Sequence, residues 1–240
     1  MNVVLIITDT QPKWFVGAYG NGETCGTPNL DAMAERGVRF DRAYTSCPLC
    51  TPARSALFTG LPPSRNGAFA NELSPGRHWP YLGEILAAHG VRFAYTGKWH
   101  LDASGYSGSG LPDGGATDAL WYDKTCYVED VGKERVAAIA GAAQSNDVAA
   151  LKNLAVEEEE LWGYRVASRA VDFLRDASVS EESFVLVTSF DEPHGPFACP
   201  PSYFERFMDH PLPKPQNYNA PLAGKPELQR RQRDQFPPGD

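Results

Sequence analysis

The sequence predicts an α/β domain built on a mostly parallel sheet sandwiched by helices. Strand-like and helix-like segments alternate along it, as parallel strands joined by helical crossovers require. Two of the strand-like runs, "NVVLIIT" from Asn2 and "SFVLVTSF" from Ser183, are continuously apolar and rich in β-branched residues, which predicts strands buried on both faces. The helix-like runs begin and end on residues that start and stop helices.

Taken in order, "NVVLIIT" is a strand that begins almost at the initiator Met, without a basic leader or a small-residue cleavage site, so a cytoplasmic location is the expectation. "TPNLDAMAERG" predicts a helix with Thr27 as N-cap, Pro28 at the first helical position and Gly37 at the stop. "VRFDRAY", Val38 to Tyr44, reads as a short strand leading to Cys50. "TPARSALFTG" predicts a helix with Pro52 in its first turn and Gly60 at its end. "YLGEILAAHG" is an amphipathic helix closed by Gly90, and "VRFAYTGKWH" a strand followed by a turn. "SGYSGSGLPDGG", Ser104 to Gly115, predicts a mobile glycine-rich loop. A long helix is expected over "EEEELWGYRVASRAVDFLRDA", its acidic start suited to the helix dipole, before the strand "SFVLVTSF".

Residues 1–210 therefore read as one catalytic-size α/β domain, and residues 211–240, rich in Pro and charge, as a surface excursion. A domain seldom ends in such a stretch, so the C-terminal part of the fold is expected to be missing. The formal net charge of −8 argues against a nucleic-acid partner, and no apolar run is long enough to cross a membrane as a helix. Five scattered cysteines (Cys25, Cys47, Cys50, Cys126, Cys199) do not make a disulfide scaffold.

Ligands of open α/β sheets bind beyond the carboxyl ends of the strands. Those ends deliver Thr8, Asp9, Thr10 and Gln11, then Cys50, then Lys98 and His100, then Asp191, Glu192 and His194. Each has a plainer alternative: Asp9 as a turn cap, Lys98 as a solvated lysine, His100 as a ring packed beside Trp99, His194 as a turn residue between prolines. Their joint arrival at one edge favours a functional cluster. At a helix start, Cys50 sits where backbone N–H groups favour negative charge, and Arg54 one turn on offers a planar fork of donors to the same spot.

Cys47 and Cys50 form a C-x-x-C pair, but a redox module of that kind is smaller and leaves Arg54, Lys98 and His100 unexplained. A zinc clip needs a second ligand pair, and Cys126 and Cys199 stand alone. A cysteine phosphatase places its arginine further on.

Cys50-Thr51-Pro52-Ala53-Arg54 followed by "SALFTG" resembles the signature of the type I, formylglycine-dependent sulfatases of the alkaline phosphatase superfamily. "TGKWH" from Thr96 resembles their second signature, and "TPNLDAMAERGVRFDRAY" and "PHGPF" resemble family stretches, so the similarity runs from Asn2 to about Phe204. The resemblance implies an alkaline phosphatase-like sheet and hydrolysis of small sulfate esters. It also implies that a formylglycine-generating enzyme oxidises Cys50 to formylglycine, whose hydrate attacks sulfur and then expels sulfate. A divalent metal, usually calcium, with manganese or magnesium as alternatives, is implied beside it. Carried over by position, Asp9 and the modified Cys50 are metal ligands, Arg54 orients the hydrate, Lys98 and His194 hold the sulfate, and His100 holds the hydrate or assists its breakdown. His194 can also protonate the leaving oxygen.

The sequence departs from the family pattern at Thr10, where many members have a second aspartate. Some relatives with a single aspartate hydrolyse phosphonate monoesters or phosphate diesters, so that activity is the alternative. The family's later metal ligands are not found before Asp240, so low activity and an exposed apolar edge are expected of this stretch. A non-catalytic anion-binding protein is the alternative from another class.

Overall fold

Three parallel strands form one sheet: β1 (Val3–Ile7), β2 (Arg92–Gly97) and β3 (Phe184–Ser189). Their order is β1-β3-β2, so the last strand in sequence lies at the centre, with Val3 opposite Val185 and Arg92 opposite Phe184. This computed structural model describes residues 2–20, 26–116, 120–145, 148–180, 182–208 and 217–235. Cys25 lies outside them.

Side-chain alternation along β2 and β3 makes two cores, because successive residues face opposite sides of a sheet. Phe93, Tyr95 and Val187 pack on one face with Trp99, Leu101, Trp121 and Phe58, the last from helix α2 (Cys50–Thr59). Ala94, Phe184 and Leu186 pack on the other with Ala170, Phe173 and Ala177 of helix α8 (Trp162–Ala177). The expected helix-sheet-helix sandwich is what these residues build.

Between α2 and α8 run α3 (Pro63–Asn66), α4 (Leu82–Ala88), α5 (Lys124–Val131), α6 (Lys133–Gln144) and α7 (Val148–Asn153). α1 (Pro28–Arg36) precedes α2, and α9 (Pro201–Glu205) follows β3. Residues 1–205 make one unit. A second unit, residues 206–240, contains the polar helix α10 (Glu227–Gln235), whose Arg231 pairs with Glu227 one turn back at 2.6 Å. Among the described residues no helix is long and apolar enough to cross a membrane.

Three expectations need correction. β1 is not buried on both faces: Leu5 and Ile7 pack on the first core, but Val4 and Ile6 are 44% and 52% exposed. Among the described residues β1 pairs only with β3, and α8 lies against β2 and β3. Residues 38–44 are not a strand but run without regular structure apart from a bend at Asp41 and Arg42, with Val38 79% and Phe40 69% exposed. Alternation alone makes no strand without a partner edge to pair with. The acidic run also does not start the long helix; Glu158–Glu160 form a separate 3-10 turn, and α8 begins at Trp162.

Candidate active site

The chain puts its strand ends side by side, and polar side chains meet there. Lys98, just after β2, donates its backbone N–H to the Ser189 carbonyl at the end of β3, at 2.9 Å. Its side chain is fully buried, with Nζ 2.7 Å from Asp9 Oδ2 and 2.9 Å from Asp191 Oδ1. One ammonium thus bridges the carboxylates that follow β1 and β3. Burial pushes the Asp9 carboxyl up, but the hydrogen bond and charge of Lys98, with Arg54 beside them, hold it below its ordinary value.

Cys50 is the first residue of α2, which lets α2 itself carry it to the sheet edge in place of a strand. Pro52 in the first turn needs no N–H, and Gly60 ends the helix in the left-handed conformation at φ +69°. Asn71 Oδ1 accepts the Thr51 N–H at 3.0 Å, taking one of the free donors of the helix start. The thiol donates to Asp9 Oδ1 at 3.7 Å and lies 4.0 Å from Lys98 Nζ. Arg54 is buried, with one nitrogen donating to the Lys98 carbonyl (2.7 Å) and to Ser189 Oγ (2.8 Å), and the other to Asp9 Oδ2 at 3.3 Å. Its fork therefore locks α2 to the ends of β2 and β3 while adding positive charge beside Cys50.

Burial raises the Cys50 pKa, and the Asp9 carboxylate adds to the rise against the pull of Lys98 and Arg54. A thiol held protonated lacks the lowered pKa that a redox C-x-x-C uses, and both Cys47 and Cys50 are free.

The two histidines occupy different positions. His100 is buried; its Nε2 is 3.0 Å from Glu72 Oε1 and its Nδ1 has no partner among the described residues. His194 bonds the Gly195 carbonyl through Nδ1 at 2.7 Å, so that nitrogen carries the proton and Nε2 is left for other work. Between them stands Tyr106, its ring 5.6 Å from His100, 5.5 Å from His194 and 4.3 Å below Lys98 Nζ, its hydroxyl donating to Asp191.

Tyr106 and Asp191 are the residues to which sequence reasoning assigned no role. The only available signal for Tyr106 is a lone aromatic within "SGYSGSG". That loop is tied down at several points: Ser109 N–H to Asp102 (2.9 Å), Gly110 N–H to Asp123 (2.8 Å) and Trp99 Nε1 to Asp113 (3.1 Å). Thr10, Glu72 and His100 are non-glycine residues at φ +61°, +66° and +61°, so left-handed backbone gathers around this site.

A cleft of about 1,230 Å³ opens over Cys50, lined also by Asp9, Thr10, Gln11, Arg54 and His194. Asp9, Cys50, Arg54 and Lys98 meet as one cluster, His194 joins it across the cleft, and His100 is turned to Glu72. For the divalent metal the donor set is short. Asp9 offers one carboxylate, already shared by two cations, and among the described residues no group of three His, Cys, Asp or Glu could hold an ion. Calcium takes six to eight oxygens, so these residues do not complete its site. Calorimetric titration of this chain with calcium is expected to give a Kd of about 1 mM or weaker. A micromolar site lost in Asp9→Asn would show instead that the residues present suffice.

The family model described as Sulfatase matches residues 1–234. The chain is 36% identical over 230 residues to the uncharacterized sulfatase YidJ of Escherichia coli (strain K12), covering 95% of this chain and 46% of that one. It is 31% identical over 231 residues to human arylsulfatase A, covering 85% of this chain and 43% of that one. It thus spans less than half the length of these relatives. In fold it is similar to BT4656, solved in complex with its substrate D-glucosamine-2-N,6-O-disulfate (TM-score 0.68, 21% identity, 95% of this chain and 42% of that one). It is equally similar to the phosphonate monoester hydrolase of Agrobacterium radiobacter (TM-score 0.68, 23% identity, 92% and 47%). Matched through residue 234 and aligned along 95% of its length with a bacterial sulfatase, the chain belongs to the sulfatase family.

Proposed function

We propose that this chain carries the nucleophile side of a formylglycine sulfatase centre, in which Cys50 is the residue converted and sulfate esters are hydrolysed. The observation that carries the proposal is the convergence of Asp9, Arg54 and Lys98 on Cys50, with Sγ 3.7 Å from Asp9 Oδ1 and 4.0 Å from Lys98 Nζ, in a cleft that His194 shares. Formylglycine, when present, supplies a hydrated aldehyde as nucleophile in place of a thiol that burial holds protonated. Arg54 and Lys98 put positive charge where negative charge grows on the transferring group. His194, with Nδ1–H committed to the Gly195 carbonyl, delivers a proton to the leaving alcohol from Nε2 when the ring is the doubly protonated imidazolium, and is left neutral with its proton on Nδ1. Asp9 is the ligand this chain contributes to a divalent metal, with calcium our assignment.

Thr51, Pro52 and Arg54 are buried in the folded chain, so the modifying enzyme must read Cys50-x-Pro52-x-Arg54 before α2 packs.

Made together with a formylglycine-generating enzyme, the chain is expected to yield a Cys50 peptide bearing an aldehyde. Cys50→Ala removes it, together with whatever turnover of an aryl sulfate the chain supports. An unmodified thiol, from cells that modify another sulfatase, would leave a non-catalytic anion-binding fold. A panel that includes phosphonate monoesters and phosphate diesters separates the sulfatase from the alternative hydrolase, which the single carboxylate at Asp9-Thr10 keeps in view.

A further inference from the structure

The Lys98 ammonium ends a flexible four-carbon stem and can point several ways, so its neighbours decide whether it serves Cys50. Asp9 Oδ2 at 2.7 Å and Asp191 Oδ1 at 2.9 Å draw it toward the strand ends, and the Cys50 thiol stands 4.0 Å away. Beneath it lies a ring. The centroid of Tyr106 is 4.3 Å from Nζ, within reach of a cation held over an aromatic face.

Tyr106 is not a core residue. It is half-buried and belongs to none of the apolar clusters that pack among the described residues. Its ring and hydroxyl turn instead to Lys98, Asp191 and the two histidines. The loop that carries it is anchored one residue on, where Thr125 of α5 donates its N–H to the Ser107 carbonyl (3.0 Å) and its hydroxyl to the Gly108 carbonyl (2.8 Å). Gly108 takes φ +83°, and a Cβ there would lie 2.4 Å from Asp123 Oδ2, so the loop is pressed close against the start of α5. The Tyr106 phenol donates to Asp191 Oδ2 and leaves Oδ1 to Lys98, which divides one carboxylate between a neutral donor and an ammonium. Without the phenol, Oδ2 would be open to a second hydrogen bond from Lys98. The ammonium would then shift toward Asp191 and away from Cys50.

We propose that Tyr106 is a positioning residue: by occupying Asp191 and by placing its ring under Nζ, it holds the Lys98 ammonium at Cys50, where the transferring anion would meet it. The proposal rests on the sulfatase reading of the cleft. Tyr106 acts on the chemistry only through Lys98. Its two contributions are separable, because phenylalanine keeps the ring and gives up the restraint on Asp191, while leucine gives up both.

The test uses the chain with its Cys50 thiol intact and needs neither formylglycine nor metal. Iodoacetate and iodoacetamide each lose iodide to the same thiolate, one reagent an anion and the other neutral. Cys50 lines the open cleft, and the two rates there are read from the mass of its peptide. Their ratio, divided by the ratio in the urea-unfolded chain, cancels the thiolate fraction and reports the positive charge presented to an anion. Tyr106→Phe is expected to lower that ratio about threefold or more, and Tyr106→Leu to lower it further, as Nζ moves off toward Asp191. A role confined to packing would change both rates together and leave the ratio alone. In an Asp191→Asn background the effect of Tyr106→Phe is expected to shrink, since the hydroxyl has no carboxylate left to restrain. The proton resonance of the Lys98 ammonium, in chain with isotope-labelled lysine, gives a second reading: Tyr106→Leu removes the shielding of the ring and Tyr106→Phe keeps it. An unchanged ratio in both Tyr106 variants overturns the proposal, as does an undiminished fall in the Asp191→Asn background. A ratio that follows Tyr106, with no aldehyde at Cys50 in cells that modify another sulfatase, would keep the positioning role and remove the sulfatase centre. An aldehyde at Cys50 with an unmoved ratio would do the reverse.

Discussion

Lys98→Met is expected to destabilise the fold by about 3–5 kcal/mol at neutral pH, because it leaves buried charge without its partner. Methionine matches the length of the lysine stem, so the loss is one of charge rather than volume. Lys98 Nζ is fully buried between Asp9 Oδ2 at 2.7 Å and Asp191 Oδ1 at 2.9 Å, and without it two largely buried carboxylates face each other. The sign of the pH dependence follows from Asp9. In the native chain its pKa lies below the ordinary value, so its contribution is present above the unfolded pKa and is lost as the pH falls below about 4. In the variant, burial is opposed mainly by Arg54 at 3.3 Å, and the folded pKa rises. The variant then regains stability as the pH falls, and its deficit against the native chain is expected to shrink between pH 7 and about pH 4.5. Urea unfolding at the two pH values measures both. A deficit that does not change with pH would show that the ammonium is not what holds the carboxylates charged.

Much of the site is legible because its residues sit next to signals the chain displays locally. Pro52 and Gly60 announce a helix, and the helix starts at Cys50. Apolar β-branched runs announce strands, and their ends supply Asp9, Lys98 and His194. The role of Asp191 is hidden because it depends on β3 lying between β1 and β2, an order that no local pattern encodes. The state of Cys50 is hidden for the same reason: a helix start should lower its pKa, but Asp9, forty-one positions away, sits against the thiol and helps reverse the sign. Tyr106 stands among glycines that read as mobility, and only the folded loop brings its hydroxyl to Asp191. Residues 38–44 show the opposite error, since a strand needs a neighbour and the alternation of Val38 and Phe40 does not supply one.

Gly97→Ala is expected to be the most disruptive change of a single methyl group in this chain. Gly97 ends β2 at φ +103°, and a Cβ built there would lie 1.9 Å from the Ser189 carbonyl oxygen and 2.8 Å from its carbonyl carbon. Both are backbone atoms of the central strand, so no side chain can swing aside to make room. Withdrawing β3 would break the Lys98 N–H bond to Ser189 (2.9 Å) and the Arg54 bond to Ser189 Oγ (2.8 Å), which aim the two cations at Cys50. Left-handed strain of about 1–3 kcal/mol and overpacking of about 1–3 kcal/mol together give about 2–6 kcal/mol. Gly60→Ala separates these contributions, because Gly60 is also left-handed, at φ +69°, yet a Cβ there meets nothing within 4 Å. Its expected cost is about 1–2 kcal/mol. Urea midpoints of the two variants therefore isolate the clash with Ser189, and equal midpoints would mean that the sheet yields at its centre. The glycine of "TGKWH" then serves the approach of two backbones, and the lysine beside it is aimed by that approach.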